Sequence, residues 1–303
     1  MFIGSKRMGL RCVTAMQASG AADIAAIVTF DDRTDARTVF KELHCFAETH
    51  RIPATVVHGD AALLTAVGNA RPELAIVCGW YSMISAHARA LAPRGFIGVH
   101  NSLLPRYRGA APLVWALMHG EREVGLSMYT LTDSMDDGDL WAQTSTAVAP
   151  DEYIGTVLER LEEACERMIR DVYPRIFDDS LSPVPQDGAQ ATYGTIRTPA
   201  HGRIDWHEPG EDIWRAIRAQ SHPYPGAFTA YDGHRLVVWR AHPFASPYYG
   251  RAGELVRGPR GEMLVICGDY RALVLDDIQI DDAQANPSAA LRPRVVLGEL
   301  RES

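Results

Sequence analysis

The sequence predicts an α/β chain in two parts: a Rossmann-like, mostly parallel sheet covered by helices, then a smaller C-terminal β-barrel. Three observations predict it. Short apolar runs alternate with longer amphipathic stretches through the first half, the βα rhythm of a parallel sheet. Residues 151–173 then carry one long helical pattern. Past it, residues 181–202 turn rich in Ser, Pro, Gln, Gly and Thr before strand-like runs separated by turn signals. The expected domains are residues 1–180 and 203–303, joined by a linker over 181–202.

Taken in order, strands are expected over residues 1–4, 25–30, 54–57, 74–79, 96–99 and 125–130. Helices are expected between them over 8–18, 34–50, 61–70, 86–91 and 112–118. In the helix over 151–173, Ile154, Val157, Leu158, Leu161, Cys165, Met168, Ile169 and Val172 recur on one face while Glu and Arg hold the other, so it should pack on the sheet. The second part opens with a helix over 213–220 and continues with strands over 227–231, 236–241, 263–267 and 272–280. Asp232-Gly233 and Cys267-Gly268-Asp269 are the turn signals among them.

Composition sets outer limits. The chain has 303 residues, 47% apolar and 22% charged, as expected of a globular protein with a sizeable core. A net charge of -8 gives no general attraction to phosphate backbones, so DNA is not an expected partner. Five scattered cysteines (Cys12, Cys45, Cys78, Cys165, Cys267) form no CxxC pair and suggest neither a disulfide framework nor a zinc site. No metal is expected. No apolar run reaches the roughly 18 residues of a membrane span, and no leader is evident, so a soluble cytoplasmic location is expected.

The chemistry concentrates in residues 96–112, FIGVHNSLLPRYRGAAP, and in LTDSMDDGDLWAQ further on. A strand ending on His100 before a Pro and Gly-rich loop puts an imidazole at the carboxyl edge of a parallel sheet, where such folds form their ligand crevice. A second strand ending in Asp133, Asp136, Asp137 and Asp139 would deliver an acid to the same rim, and His with a carboxylate is a usable acid/base pair. By themselves these residues also fit a structural histidine and a solvated or metal-holding acidic turn.

HNSLLP at 100–105, Arg108-Gly109 and Asp136-Asp137-Gly138 together resemble the signature of the formyltransferase family that uses 10-formyltetrahydrofolate. Its members include methionyl-tRNA, glycinamide ribonucleotide and amino-sugar N-formyltransferases. FIGSKRMGLR at the start, GWYSMIS at 79–85, RIDW at 203–206 and HPYPGAF at 222–228 extend the likeness over nearly the whole chain. The resemblance implies the formyltransferase fold, an OB-like C-terminal barrel, 10-formyltetrahydrofolate as co-substrate and a catalytic Asn, His and Asp. His100 matches the histidine and Asp136 the aspartate.

An attacking amine must lose a proton while an oxygen gains charge, so a base and a hydrogen-bond donor are both required. The family's asparagine stands two residues before the histidine, where this chain has Gly98. Asn101 replaces it only if the chain turns sharply past the strand, because neighbours on a strand face opposite sides.

The resemblance also places the folate between residues 79–85 and 131–139, which nominates Trp80, Tyr81, Met83, Ile84, Leu104, Gly109, Asp133 and Asp139. The resemblance further implies that the loop after the first strand lies toward the acceptor, which nominates Ser5, Lys6, Arg7 and Met8 for substrate binding, with Lys6 and Arg7 the candidates for contacting a nucleotide diphosphate. DDRTDART at 31–38 sets three acids against two arginines, which disfavours tRNA and favours a small amine, an amino-sugar nucleotide first. Methionyl-tRNA formyl transfer and a catalytically impaired folate-binding relative remain the alternatives. A homodimer would form through a barrel edge or the terminal arm LRPRVVLGELRES.

Overall fold

The computed structural model describes residues 1–281 and 291–298. Those residues divide into two compact units, one holding Met1–Pro112, Glu123–Val148 and Leu158–Ile196, the other Leu113–Arg122, Ala149–Val157 and the chain from Arg197 onward.

The first unit is built on a seven-stranded sheet. Its strands are β1 (Phe2–Gly4), β2 (Ile27–Thr29), β3 (Ala54–Val56), β4 (Ala75–Cys78), β5 (Phe96–His100), β7 (Glu123–Thr130) and β8 (Leu140–Ala147), in the order β3-β2-β1-β4-β5-β7-β8. The first five run parallel, joined through α1 (Lys6–Ser19), α2 (Phe40–His50), α3 (Asp60–Ala70) and α4 (Ala86–Arg89). β1, β2 and β4 are fully buried runs, apolar but for Thr29, as strands covered on both faces must be. The strand order reverses between β1 and β4, which opens a crevice at their carboxyl ends.

β7 and β8 run antiparallel to their neighbours, with Ile97 opposite Thr130 and His100 opposite Ser127. β7 therefore does not end at the rim that carries His100, contrary to the expectation from the sequence. The loop that follows it folds back to bring its carboxylates there.

Two further differences have local causes. α2 starts at Phe40 rather than near residue 34 because Asp35 accepts from the Arg37 amide and guanidinium and so holds that stretch in turns. The segment read as a linker contains β9 (Tyr193–Gly194), which pairs in parallel with the short β6 (Arg108–Gly109).

After α5 (Pro112–Met118), the long α6 (Ile154–Phe177) buries the apolar face that its periodicity predicts. Cys165 on this helix meets Cys12 of α1 and Cys78 of β4, so α6 does pack on the sheet.

In the second unit, α7 (Gly210–Gln220) precedes β10 (Ala227–Tyr231), β11 (His234–Pro243), β12 (Leu255–Arg257), β13 (Met263–Ile266) and β14 (Ala272–Ile280). These strands form an antiparallel half-barrel in the order β10-β11-β14-β13-β12. Ile213 and Ile217 of α7 pack into its core with Trp206, Val238, Leu255, Val265 and Leu273. The described part of the terminal arm sits in the same core through Leu291 and Leu297, while residues 299–303 lie outside the described residues. No described helix is long and apolar enough to cross a membrane.

Candidate active site

The site is built where β5 ends. His100 is the last residue of that strand, and its side chain is only 11% exposed. Its Nε2 lies 2.8 Å from the carbonyl oxygen of Tyr107. A carbonyl can only accept, so Nε2 carries a proton, which leaves Nδ1 as the nitrogen that can bind or release another. That nitrogen faces Asp136, whose Oδ2 is 3.8 Å away. The gap is beyond a hydrogen bond yet within strong electrostatic reach of an imidazolium.

Asp136 sits in the left-handed region with φ 50°, a conformation that Asp tolerates better than most side chains. Both of its oxygens are engaged. Oδ2 accepts the Gly109 amide at 2.7 Å, and Oδ1 accepts the hydroxyl of Tyr129. Burial first, then the Asp136 charge, pushes the Tyr129 phenol far above its ordinary range, so it remains a donor. Gly109 itself has φ 95°, and a Cβ there would lie 2.5 Å from the Gly194 carbonyl oxygen, so this close approach needs glycine.

The residues between His100 and Gly109 are pinned from below. Leu104 is buried, its amide donates to Ser127 Oγ at 3.0 Å, and its carbonyl accepts from Gln143 at 2.8 Å. Ser127 Oγ in turn donates to the Ser102 carbonyl. From above, the supposed linker crosses the site. Gln186 Nε2 donates to the carbonyls of Asp136 (2.9 Å) and Gly138 (2.7 Å), and its Oε1 accepts from the buried Arg108 guanidinium at 2.8 Å. Thr192 Oγ1 accepts the Tyr107 amide. Neither Tyr129 nor Gln186 was among the residues singled out from the sequence. Gln186 lies in a stretch whose composition signals only turns, and Tyr129 reads as an ordinary strand aromatic.

The other nominated residues fall into three groups. Asn101 is half-buried one residue past β5, where the chain bends. In the segment 79–85, Trp80 is half-buried with its ring edge against Phe30 (centroids 5.4 Å), Ile84 is buried, and Tyr81 and Met83 are exposed. Arg89 joins this segment to the loop 131–139 by donating to the Ile84 carbonyl and to the Asp133 carboxylate. Asp139 is exposed. The indole nitrogen of Trp80 is buried and has no hydrogen-bond partner among the described residues.

The acceptor-side residues are heavily paired. Lys6 is buried, with Nζ 2.6 Å from Asp32 and 2.9 Å from Asp35. Ser5 Oγ donates to Asp32, and Met8 is buried in the core. Lys6 and Ser5 hold Asp32 below the ordinary carboxylate range despite its burial. Arg7 lies 3.1 Å from Glu162, which burial drives up to about 7.

Three of the five cysteines converge. The sulfurs of Cys12, Cys78 and Cys165 lie within 4.8 Å of one another, all buried. Shared hydrogen bonds between the sulfurs, and then burial, raise the Cys12 and Cys78 thiols. Hydrogen bonds from Cys12 and Cys78 hold the Cys165 thiol below its ordinary range in turn.

A curated methionyl-tRNA formyltransferase of Halalkalibacterium halodurans is 33% identical over 262 residues, 84% of this chain and 82% of that protein. Among solved structures, an N-formyltransferase from Helicobacter canadensis in complex with folinic acid and dTDP-3-aminofucose aligns with TM-score 0.67 and 12% identity, over 91% of this chain and 97% of that one. HypX from Aquifex aeolicus in complex with tetrahydrofolic acid aligns with TM-score 0.63 and 18% identity over 85% of this chain, which spans 44% of the HypX chain. At such identities the two structures show a shared fold. Residues 4–173 match the family described as formyl transferase and residues 197–291 its C-terminal domain, so this chain belongs to the formyl transferase family.

Proposed function

We propose that this chain moves the formyl group of 10-formyltetrahydrofolate to the primary amine of a small acceptor, an amino-sugar nucleotide before any other. The observation that carries the reading is the geometry of His100 and Asp136. Nδ1 is left free to take a proton from an arriving amine, and the imidazolium so formed gains a carboxylate 3.8 Å away. Once protonated, the ring can donate from Nδ1 to an oxygen that becomes negative.

The folate fits the segments 79–85 and 131–139, which Arg89 holds together, and the unpartnered indole N–H of Trp80 is the kind of donor that a heteroatom of a bound ring satisfies. Half-buried Trp80 supplies apolar surface there, with Tyr81 and Met83 exposed beside it and Ile84 and Leu104 buried beneath the surface. We place the protein in a reducing cytoplasm, which suits five free thiols.

Charge supports a small acceptor. From residue 197 onward the chain holds 13 arginines and no lysine against 14 acids, so this region carries no basic excess with which to hold a phosphate backbone. Lys6 is already neutralised by Asp32 and Asp35, so a diphosphate near β1 would depend on backbone amides or on rearrangement of that pair. Methionyl-tRNA is the second reading, favoured by the named relative at 33% identity.

The test is a panel. Purified protein with 10-formyltetrahydrofolate is offered UDP-, dTDP- and GDP-linked amino sugars and methionyl-tRNA, with product mass as readout. A sugar nucleotide gaining one formyl group supports the first reading. Turnover with methionyl-tRNA alone, falling steeply with salt, supports the second.

A further inference from the structure

Gly98 and Tyr129 are directly opposite in the β5–β7 ladder. A Cβ built on Gly98 would lie 2.8 Å and 3.1 Å from two carbons of the Tyr129 ring and 3.0 Å from a methyl of Leu131. The first is shorter than real Cβ contacts and the other two are tight, so the ring, as it stands, occupies space that a side chain at position 98 would need. Tyr129 is 6% exposed, and its ring lies edge-on to that of His100 with centroids 6.1 Å apart. Its hydroxyl ends on Oδ1 of Asp136, whose other oxygen is taken by the Gly109 amide.

We propose that Tyr129 is the positioning residue of this site: its ring fills the space beside Gly98, and its hydroxyl holds Oδ1 of Asp136 and tempers the charge that this carboxylate presents to Nδ1 of His100. The proposal rests on the formyl-transfer reading for its chemistry, and on β5, β7 and the 131–139 loop alone for its geometry. Where the family resemblance leads one to expect an amide two residues before the histidine, this chain brings a phenol across from the next strand. Removing the hydroxyl leaves Oδ1 without its donor while the Gly109 amide still holds Oδ2 beside His100, so more of the carboxylate charge is left to the imidazole. The titratable groups facing the phenol are Asp136 and Asp137 from one loop, with His100 beside its ring.

Tyr129→Phe keeps the ring and deletes only the hydroxyl. The titration of His100, followed by NMR on full-length protein carrying labelled histidine, reads the arrangement with neither folate nor amine present. A carboxylate that has lost a donor holds an imidazolium more tightly. The His100 midpoint is therefore expected to rise by about half a unit, roughly threefold in proton affinity, with the melting temperature nearly kept. In the transfer assay kcat falls and KM holds.

Incorporating 3-fluorotyrosine at 129 retains the shape, strengthens the donor and lowers the midpoint, so the idea stays testable if the Phe variant unfolds. A His100 midpoint and kcat unchanged in both variants would overturn the proposal. A moved midpoint in a protein that formylates no acceptor would overturn the formyl-transfer reading and leave the positioning role standing.

Discussion

Nδ1 of His100 and Oδ2 of Asp136 stand 3.8 Å apart, with the far side of the imidazole fixed by the Tyr107 carbonyl. The separation matters because the ring is oriented by a backbone group while the carboxylate acts through charge. Asp136→Asn keeps the shape and removes the charge that stabilises an imidazolium. It is expected to lower kcat by about 10² to 10³ while the KM for folate changes little. Steady-state kinetics with 10-formyltetrahydrofolate check this, and an equal loss in KM would assign Asp136 to binding.

Gln186 stitches the crossing segment to the loop that carries Asp136 and to the buried Arg108. In Gln186→Ala the guanidinium loses its chief acceptor and two carbonyls lose a donor. Stability should fall by about 1 to 3 kcal/mol, read by urea unfolding. Activity should fall with it, because Asp136 is no longer held from above.

Glu162 is buried beside Arg7 and Arg11, at 3.1 Å and 3.8 Å, and burial raises its carboxyl to about 7. A raised carboxyl favours the folded state while protonated, and that contribution is lost as pH climbs from the ordinary carboxylate range through 7. Glu162→Gln should therefore stabilise the protein by roughly 2 kcal/mol at pH 8, with the gain fading toward pH 4.5. Melting curves across that window decide it, and a gain independent of pH would refute the assignment.

Of the five thiols only Cys45 is exposed, and the Cys12, Cys78 and Cys165 cluster is buried with thiols raised at Cys12 and Cys78. A thiol reagent should label one cysteine in the native protein and five after denaturation. Rapid native labelling within the cluster would contradict that packing.

The sequence patterns that proved legible are those set by local rules. Short, largely apolar runs mark β1, β2 and β4, and the single-faced periodicity of α6 marks a helix with its buried side. β8 escaped notice because LWAQTSTA is half-exposed and rich in Ser and Thr, and β12 because three residues carry too little pattern. Residues 181–202 have the composition of a linker, yet their main-chain groups pair with β6 and Gln186 reaches the loop that carries Asp136, which no local rule foretells. For the same reason the sequence marks Gly98 as a departure but not its cause, since Tyr129 meets it only through the antiparallel register of β7.

The most direct measurement is transfer from 10-formyltetrahydrofolate labelled with carbon-13 in its formyl group. Wild-type protein and His100→Ala would be compared on the amino-sugar nucleotide panel, with products read by mass. The account predicts a labelled N-formyl product from the wild type and its loss in His100→Ala, with the variant still folded and still binding tetrahydrofolate. Labelled product formed equally well by His100→Ala would contradict it.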